Sequence, residues 1–273
     1  MSVNKYGLSR NIPEKIKKVV RQKSGFGCVI CGAVPYEYEH VNPEFKNAKE
    51  HDSSCITLLC PNCHSKVTKK IISKEKVKKH MESPYNLKYK EEFIKGYEFE
   101  INSKKENPFT VKLGGLTAVE CKNFLYIEGK AVLKFNKSED GEEYFINANF
   151  KNSKGKSILR IVNNEWQSSK KNWDIKLIGT RISIQDKENH YGIVINKPKE
   201  NLIEIEKLDI EHRGVRIYFD SKEEEAIFTY GKMKFSVVEG YYKDCTYVLR
   251  IENNSVRLEG DGPAWLKGVN FYK

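Results

Sequence analysis

No stretch of this chain approaches the ~18 consecutive apolar residues that a membrane-crossing helix needs. Residues Met1–Asn11 also lack the apolar segment of a secretory leader. Both absences predict a soluble, cytoplasmic protein with no membrane partner. Acidic charge is in short supply: 37 Asp and Glu stand against 48 Lys and Arg, a net charge of +11 and a pI near 9.1. That deficit argues against an acidic surface and favours a polyanionic partner, because each phosphate contact releases counterions. The excess is concentrated early. Residues 1–107 carry 21 basic and 13 acidic side chains, net +8, whereas residues 108–273 carry 27 and 24, net +3. A solvated lysine-rich surface gives the same numbers, so charge alone does not separate the two readings.

Seven cysteines are an odd number for a disulfide framework. Four of them form two Cys-x-x-Cys pairs, Cys28/Cys31 and Cys60/Cys63, separated by the 28 residues Gly32–Leu59. Without a secretion signal, this spacing reads as one structural Zn²⁺ held by four thiolates rather than as a redox pair. A small unit with little core of its own needs such a staple. Cys55, Cys121 and Cys245 are scattered and read as ordinary buried thiols.

Hydrophobic periodicity divides the chain. Ile12, Ile16, Val19 and Val20 recur at helical spacing, with Lys15, Lys17, Lys18, Arg21 and Lys23 on the other face. Tyr36–Val41 and Ile56–Leu59 read as short strands, and a helix carrying His64, Val67 and Ile71 follows the second cysteine pair. Ser73 suits a helix cap and Ser83-Pro84 a helix end. The charged stretch Asn86–Lys105 reads as a linker with some helix. Beyond Asn107 the texture is short alternating runs, such as Tyr144–Phe150 and Val215–Phe219, with turn signals at Asp140-Gly141, Gly179 and Asn253-Asn254 between them. The expectation is an α+β chain: a zinc-stapled domain over residues 1–107, then a separate all-β domain, a sandwich or a β-helix, over residues 108–273.

The residues around the knuckles carry the chemistry. Glu39-His40 ends the first strand, and His64 directly follows the last cysteine in Leu58-Leu59-Cys60-Pro61-Asn62-Cys63-His64. Over roughly residues 20–72 this resembles the zinc-knuckle form of the HNH, or His-Me finger, endonuclease family. The resemblance implies a ββα-metal fold, with His40 as general base and His64 as ligand of a catalytic Mg²⁺ or Mn²⁺. Glu39 matches the position of a second, carboxylate ligand. The implied reaction is hydrolysis of a nucleic-acid phosphodiester, DNA rather than RNA. A histidine that titrates near neutrality suits proton removal from water. Lys66, Lys69 and Lys70, expected on the helix of His64, are candidate phosphate contacts. The chain departs from the family pattern at Cys55, where an Asn usually orients the base; either Asn42 or Asn47 replaces it, or Cys55 lies in a loop of different geometry. His51 and Asp52 read as solvated loop residues.

Two other functions fit the same sequence. One is a zinc-ribbon nucleic-acid-binding module whose HNH site has lost catalysis, as Cys55 suggests. The other is a β-domain that scaffolds a protein partner or self-association and carries the nuclease as effector. A targeting or restraining β-domain would suit restriction or anti-phage defence.

Overall fold

The computed structural model describes residues 3–89, 92–221, 225–253, 255–258 and 260–272. Asn254, half of one expected turn, lies outside the described residues. The chain forms two compact units: Met1–Tyr97 together with Ser168–Lys176, and Glu98–Gln167 together with Leu177–Lys273. The second is rich in β-strand, and among the described residues the few helices all lie in the first. No helix among the described residues is long and apolar enough to cross a membrane.

The first unit is built around one hairpin. Helix α1 (Glu14–Lys23) starts after Pro13, whose fixed φ suits a helix entry, and gives way to Gly25 at φ +68. Strand β1 (Glu37–His40) pairs antiparallel with β2 (Ile56–Leu59), His40 opposite Ile56 and Glu39 opposite Thr57. Helix α2 (Pro61–Thr68) follows β2 after the single residue Cys60, then come α3 (Lys74–Glu82) and the short α4 (Tyr85–Lys88). Every residue of β2 is buried. Strand alternation explains how: Ile56 and Leu58 join Ile12 and Val20 in one cluster, while Leu59 joins Val41, Val67 and Val77 around the cysteines in another. The hairpin is thus covered on both faces.

Three local expectations differ from the structure. Helix α2 stops at Thr68, with Lys69 as its C-cap and Lys70 in the left-handed region at φ 60. Lys66, Lys69 and Lys70 therefore do not share one helical face. Within the expected linker, Phe93–Glu98 is a strand, anchored where Ile94 packs with Phe26 and Ile175. Arg21, expected on the basic face of α1, is 1% exposed and bonded to Asp174.

In the second unit, Asn123–Ile127, Lys130–Lys137, Tyr144–Lys151 and Ser157–Val162 form an antiparallel meander, extended by a parallel pairing of Asn123–Ile127 with Tyr247–Glu252. In the other sheet, Leu202–His212, Val215–Asp220, Ala226–Tyr230 and Met233–Lys243 pair in sequence order. The hairpin Thr110–Leu113/Leu116–Val119 then joins the two ends of this set, pairing in parallel with Leu202–His212 on one side and Met233–Lys243 on the other. Six strands consequently close into a ring, a topology that the expected sandwich or β-helix does not contain. Alternate side chains such as Ile203, Ile205, Ile217, Phe228 and Val237 are buried. The hairpin turn is Gly114-Gly115, with Gly114 at φ +59 as the two-residue II′ turn requires. A Cβ on Gly115 would lie 1.8 Å from the Val238 carbonyl oxygen.

Candidate metal centre and active site

The four paired cysteines meet. Their sulfurs lie within 4.8 Å of one another, with Cys31 Sγ 3.7 Å from Cys60 Sγ and 3.8 Å from Cys63 Sγ. Four thiolates at about 2.3 Å from a tetrahedral Zn²⁺ have edges of roughly 3.8 Å, so the cluster fits the ion. Local backbone bonds set this up. The Cys28 amide donates to the Ala33 carbonyl and the Gly32 amide to the Cys28 carbonyl, which folds the first knuckle tightly. The Val29 amide donates to the Leu58 carbonyl and ties that knuckle to β2. Gly32, at φ +76, leaves no room for a side chain beside Asn86.

The second knuckle sits at the start of α2, where unpaired amides favour negative charge. Burial pushes the Cys60 thiol up, but the Cys63 amide and the neighbouring thiols more than offset this and hold it below its ordinary value. Burial raises Cys31 to about 11 and raises Cys63 as well, with the neighbouring Cys28 adding to both. Four adjacent sulfurs resist joint ionisation unless a cation compensates them.

A second group of side chains lies along β1 and α2. Glu37 and Glu39, two residues apart on one strand face, both reach His64. His64 Nε2 is 2.8 Å from Glu39 Oε2, and Nδ1 bonds Glu37 Oε2. Two donors of one Mg²⁺ or Mn²⁺ at about 2.1 Å and a right angle stand roughly 3 Å apart, so Glu39 and His64 fit adjacent positions on such an ion. The Glu37 bond is the outer carboxylate that commonly fixes the ring of a metal-bound histidine. Lys74 competes for the same carboxylate: its ammonium bonds Glu39 Oε1 and donates to the His40 carbonyl at 3.0 Å. Burial holds the Lys74 pKa below its ordinary value.

His40 is 8% exposed. Its Nε2 lies 3.1 Å from His51 Nδ1, and His51 Nε2 lies 2.9 Å from the Ser9 carbonyl oxygen. The Phe45 ring packs edge-on against His40, and the Arg10 guanidinium covers Phe45. Burial, followed by His51 and Arg10, pushes the His40 pKa down to about 4, so the ring is neutral at pH 7.

Glu39, His40, His64 and Lys74 all line one cleft of about 730 Å³. Its charged lining is Arg10, Lys46, Lys70 and Lys74 against Glu39 and Glu44, a cationic excess. Of the three lysines singled out in the sequence, only Lys70 lines it; Lys66 and Lys69 are exposed elsewhere. Asn42 and Asn47 are also exposed, and it is His51 that contacts the His40 ring. Sequence reasoning missed Glu37, His51, Lys74 and Arg10. Strand alternation from Glu39 points to Glu37, whereas nothing periodic marks His51 or Arg10. No family profile, curated protein or solved structure matches this chain.

Proposed function

We propose that the first unit is a metal-dependent endonuclease of the HNH type that hydrolyses DNA phosphodiesters, with zinc as its structural staple. The observation that carries this reading is the convergence of a carboxylate–imidazole donor pair, Glu39 and His64, with a buried neutral histidine in one cationic cleft. The His40 imidazole takes the proton from the attacking water. Its low pKa keeps it neutral, and a phosphate anion entering the cleft would raise that pKa and strengthen it as an acceptor. Arg10 and Lys70 hold phosphate oxygens and orient the scissile bond for in-line attack. A divalent cation held by Glu39 and His64 would supply the charge that stabilises the leaving 3′ oxygen. The arrangement of β1, β2 and α2 is compatible with the ββα-metal topology that the resemblance names. The β-rich unit is then a targeting or restraining part, as a defence nuclease requires.

One observation favours a second reading, a nucleic-acid-binding module without catalysis: the Lys74 ammonium already occupies Glu39. Plasmid relaxation separates the two. Wild-type protein with Mg²⁺ or Mn²⁺ should nick supercoiled DNA, and His40→Ala should lose ~10²–10⁴ of that rate while keeping its zinc and its DNA binding. Wild-type protein that binds DNA but never cuts it leaves only the binding module. Cleavage undiminished in His40→Ala puts the active site elsewhere.

A further inference from the structure

The ring-nitrogen contacts of His51 carry information that the family resemblance does not. Ser9 contributes a carbonyl oxygen, which can only accept, so His51 Nε2 must carry the proton of their 2.9 Å bond. With that single ring proton, His51 has a lone pair at Nδ1 and accepts there. Its partner across 3.1 Å, His40 Nε2, must therefore be the donor. The chain runs from His40 Nε2–H to His51 Nδ1, and from His51 Nε2–H to the Ser9 carbonyl. It leaves His40 Nδ1 as the unprotonated nitrogen, the one that can receive a proton.

We infer that His51 is a positioning residue for His40: it fixes the Nε2–H tautomer and ring orientation of the base through a hydrogen-bonded chain anchored on the Ser9 backbone. The inference rests on the nuclease reading for its purpose but not for its geometry. Three features support it. His40 is buried and its ring is packed edge-on by Phe45, so it has little freedom to exchange partners. The anchor is itself held, because the Asn4 side-chain amide donates to the carbonyls of Phe45 at 2.6 Å and Ala48 at 2.7 Å and ties the N-terminal segment to the loop between β1 and β2. The loop is closed beside the base as well, where the Val41 amide donates to the Cys55 carbonyl at 2.8 Å. Cys55 at the usual Asn position thus contributes a backbone contact, and the orienting side chain comes from His51.

The test has a structural and a kinetic arm, both on zinc-loaded full-length protein. Long-range ¹H–¹⁵N correlation of the imidazoles should show His40 as the Nε2–H tautomer in the wild type. His51→Ala should give a mixture of His40 tautomers. His51→Gln should keep the Nε2–H form, since its amide oxygen accepts from His40 and its NH₂ donates to Ser9. In plasmid nicking, His51→Ala should lower kcat about 10–100-fold, by analogy with the partners that orient metal-bound histidines, with KM within about twofold, and His51→Gln should recover most of the rate. Zinc content and circular dichroism should not change in either variant. A wild-type His40 protonated at Nδ1, or His51→Ala with the tautomer unchanged, overturns the inference; so does a wild-type kcat in His51→Ala. Wild-type protein inert on DNA overturns the nuclease reading instead, and the tautomer measurement still decides the role of His51.

Discussion

Arg21 on α1 and Asp174, 153 positions later, face each other through two side-by-side hydrogen bonds, Nε to Oδ1 at 2.8 Å and Nη2 to Oδ2 at 2.7 Å. Nη1 also donates to the Tyr38 hydroxyl and Nη2 to Glu14, each at 2.9 Å. Burial alone would lower the guanidinium's pKa, but Asp174 and Tyr38 more than offset it. The first unit therefore takes a structural partner from Ser168–Lys176, far along the chain. Asp174→Ala leaves the buried guanidinium only Tyr38 and the largely exposed Glu14, and should destabilise this unit by up to about 3–5 kcal/mol. Replacing both members, as in Arg21→Met with Asp174→Leu, should recover much of that loss. Chemical denaturation with zinc held in excess measures both. A single variant within about 0.5 kcal/mol of wild type would show that the pair is dispensable.

Zinc removal should separate the two units. Cys28, Cys60 and Cys63 belong to one apolar cluster of the first unit, alongside Val29, Leu59, Val67 and Val77, while Cys31 is exposed. Chelation, or Cys60→Ser, should unfold that unit and abolish binding and cleavage together. The strands of Glu98–Gln167 and Leu177–Lys273 should persist, because their buried side chains do not involve the metal. Circular dichroism and limited proteolysis of the chelated full chain check this. Well-folded protein with no zinc by elemental analysis would remove the staple from the account.

How much of this was legible in the sequence follows from how local each signal is. The cysteine pairs, the two short strands and α2 are encoded within a few residues, and they stand close to where the sequence places them. Ser73 caps α3 by accepting from the Lys76 amide, as its position suggested. Glu39 and His64 come together because one is the penultimate residue of β1 and the other sits in the first turn of the helix after β2. Arg21 was misread because its partner is not local: periodicity puts it on a charged face, and only tertiary contact buries it. The closed ring of strands depends on two parallel pairings between distant segments, which no alternation pattern reports. His51 lies in a polar loop, where neither spacing nor composition distinguishes a positioned ring from a solvated one.

Acid should destabilise the second unit through His212. This histidine is 8% exposed, and neither ring nitrogen has a hydrogen-bond partner among the described residues. Burial, followed by Lys151, Arg213 and Lys130, holds its pKa below the ordinary value of 6.5. A depressed folded pKa gives the sign. The unfolded state binds the proton first, so the stability is fully present above about pH 6.5 and is lost as pH falls toward and through the lowered value. His212→Leu should flatten the melting temperature of this unit between pH 7 and pH 5. The first unit is a poorer reporter, because thiolates holding zinc would exchange it for protons in that range. An equally steep acid loss in His212→Leu would assign the effect to other groups.

The contact between Lys74 and Glu39 sets up the sharpest test of the candidate metal site. If Glu39 and His64 hold a divalent cation, the Lys74 ammonium competes with it for one carboxylate. Two cations at contact distance repel by a few kcal/mol even at an effective dielectric constant of about 20. Lys74→Met should therefore tighten Mn²⁺ binding by about tenfold or more, and His64→Ala should weaken it by a similar factor. Electron paramagnetic resonance of free Mn²⁺ during titration of zinc-loaded protein measures both. The direction of change in cleavage is equally informative. Faster nicking in Lys74→Met at low Mn²⁺ means that the lysine restrains an active site. Slower nicking despite tighter metal binding means that the ammonium also serves the phosphate, as its place in the cleft allows. Mn²⁺ affinity unchanged in both variants would show that this carboxylate–imidazole pair is an ordinary surface ion pair.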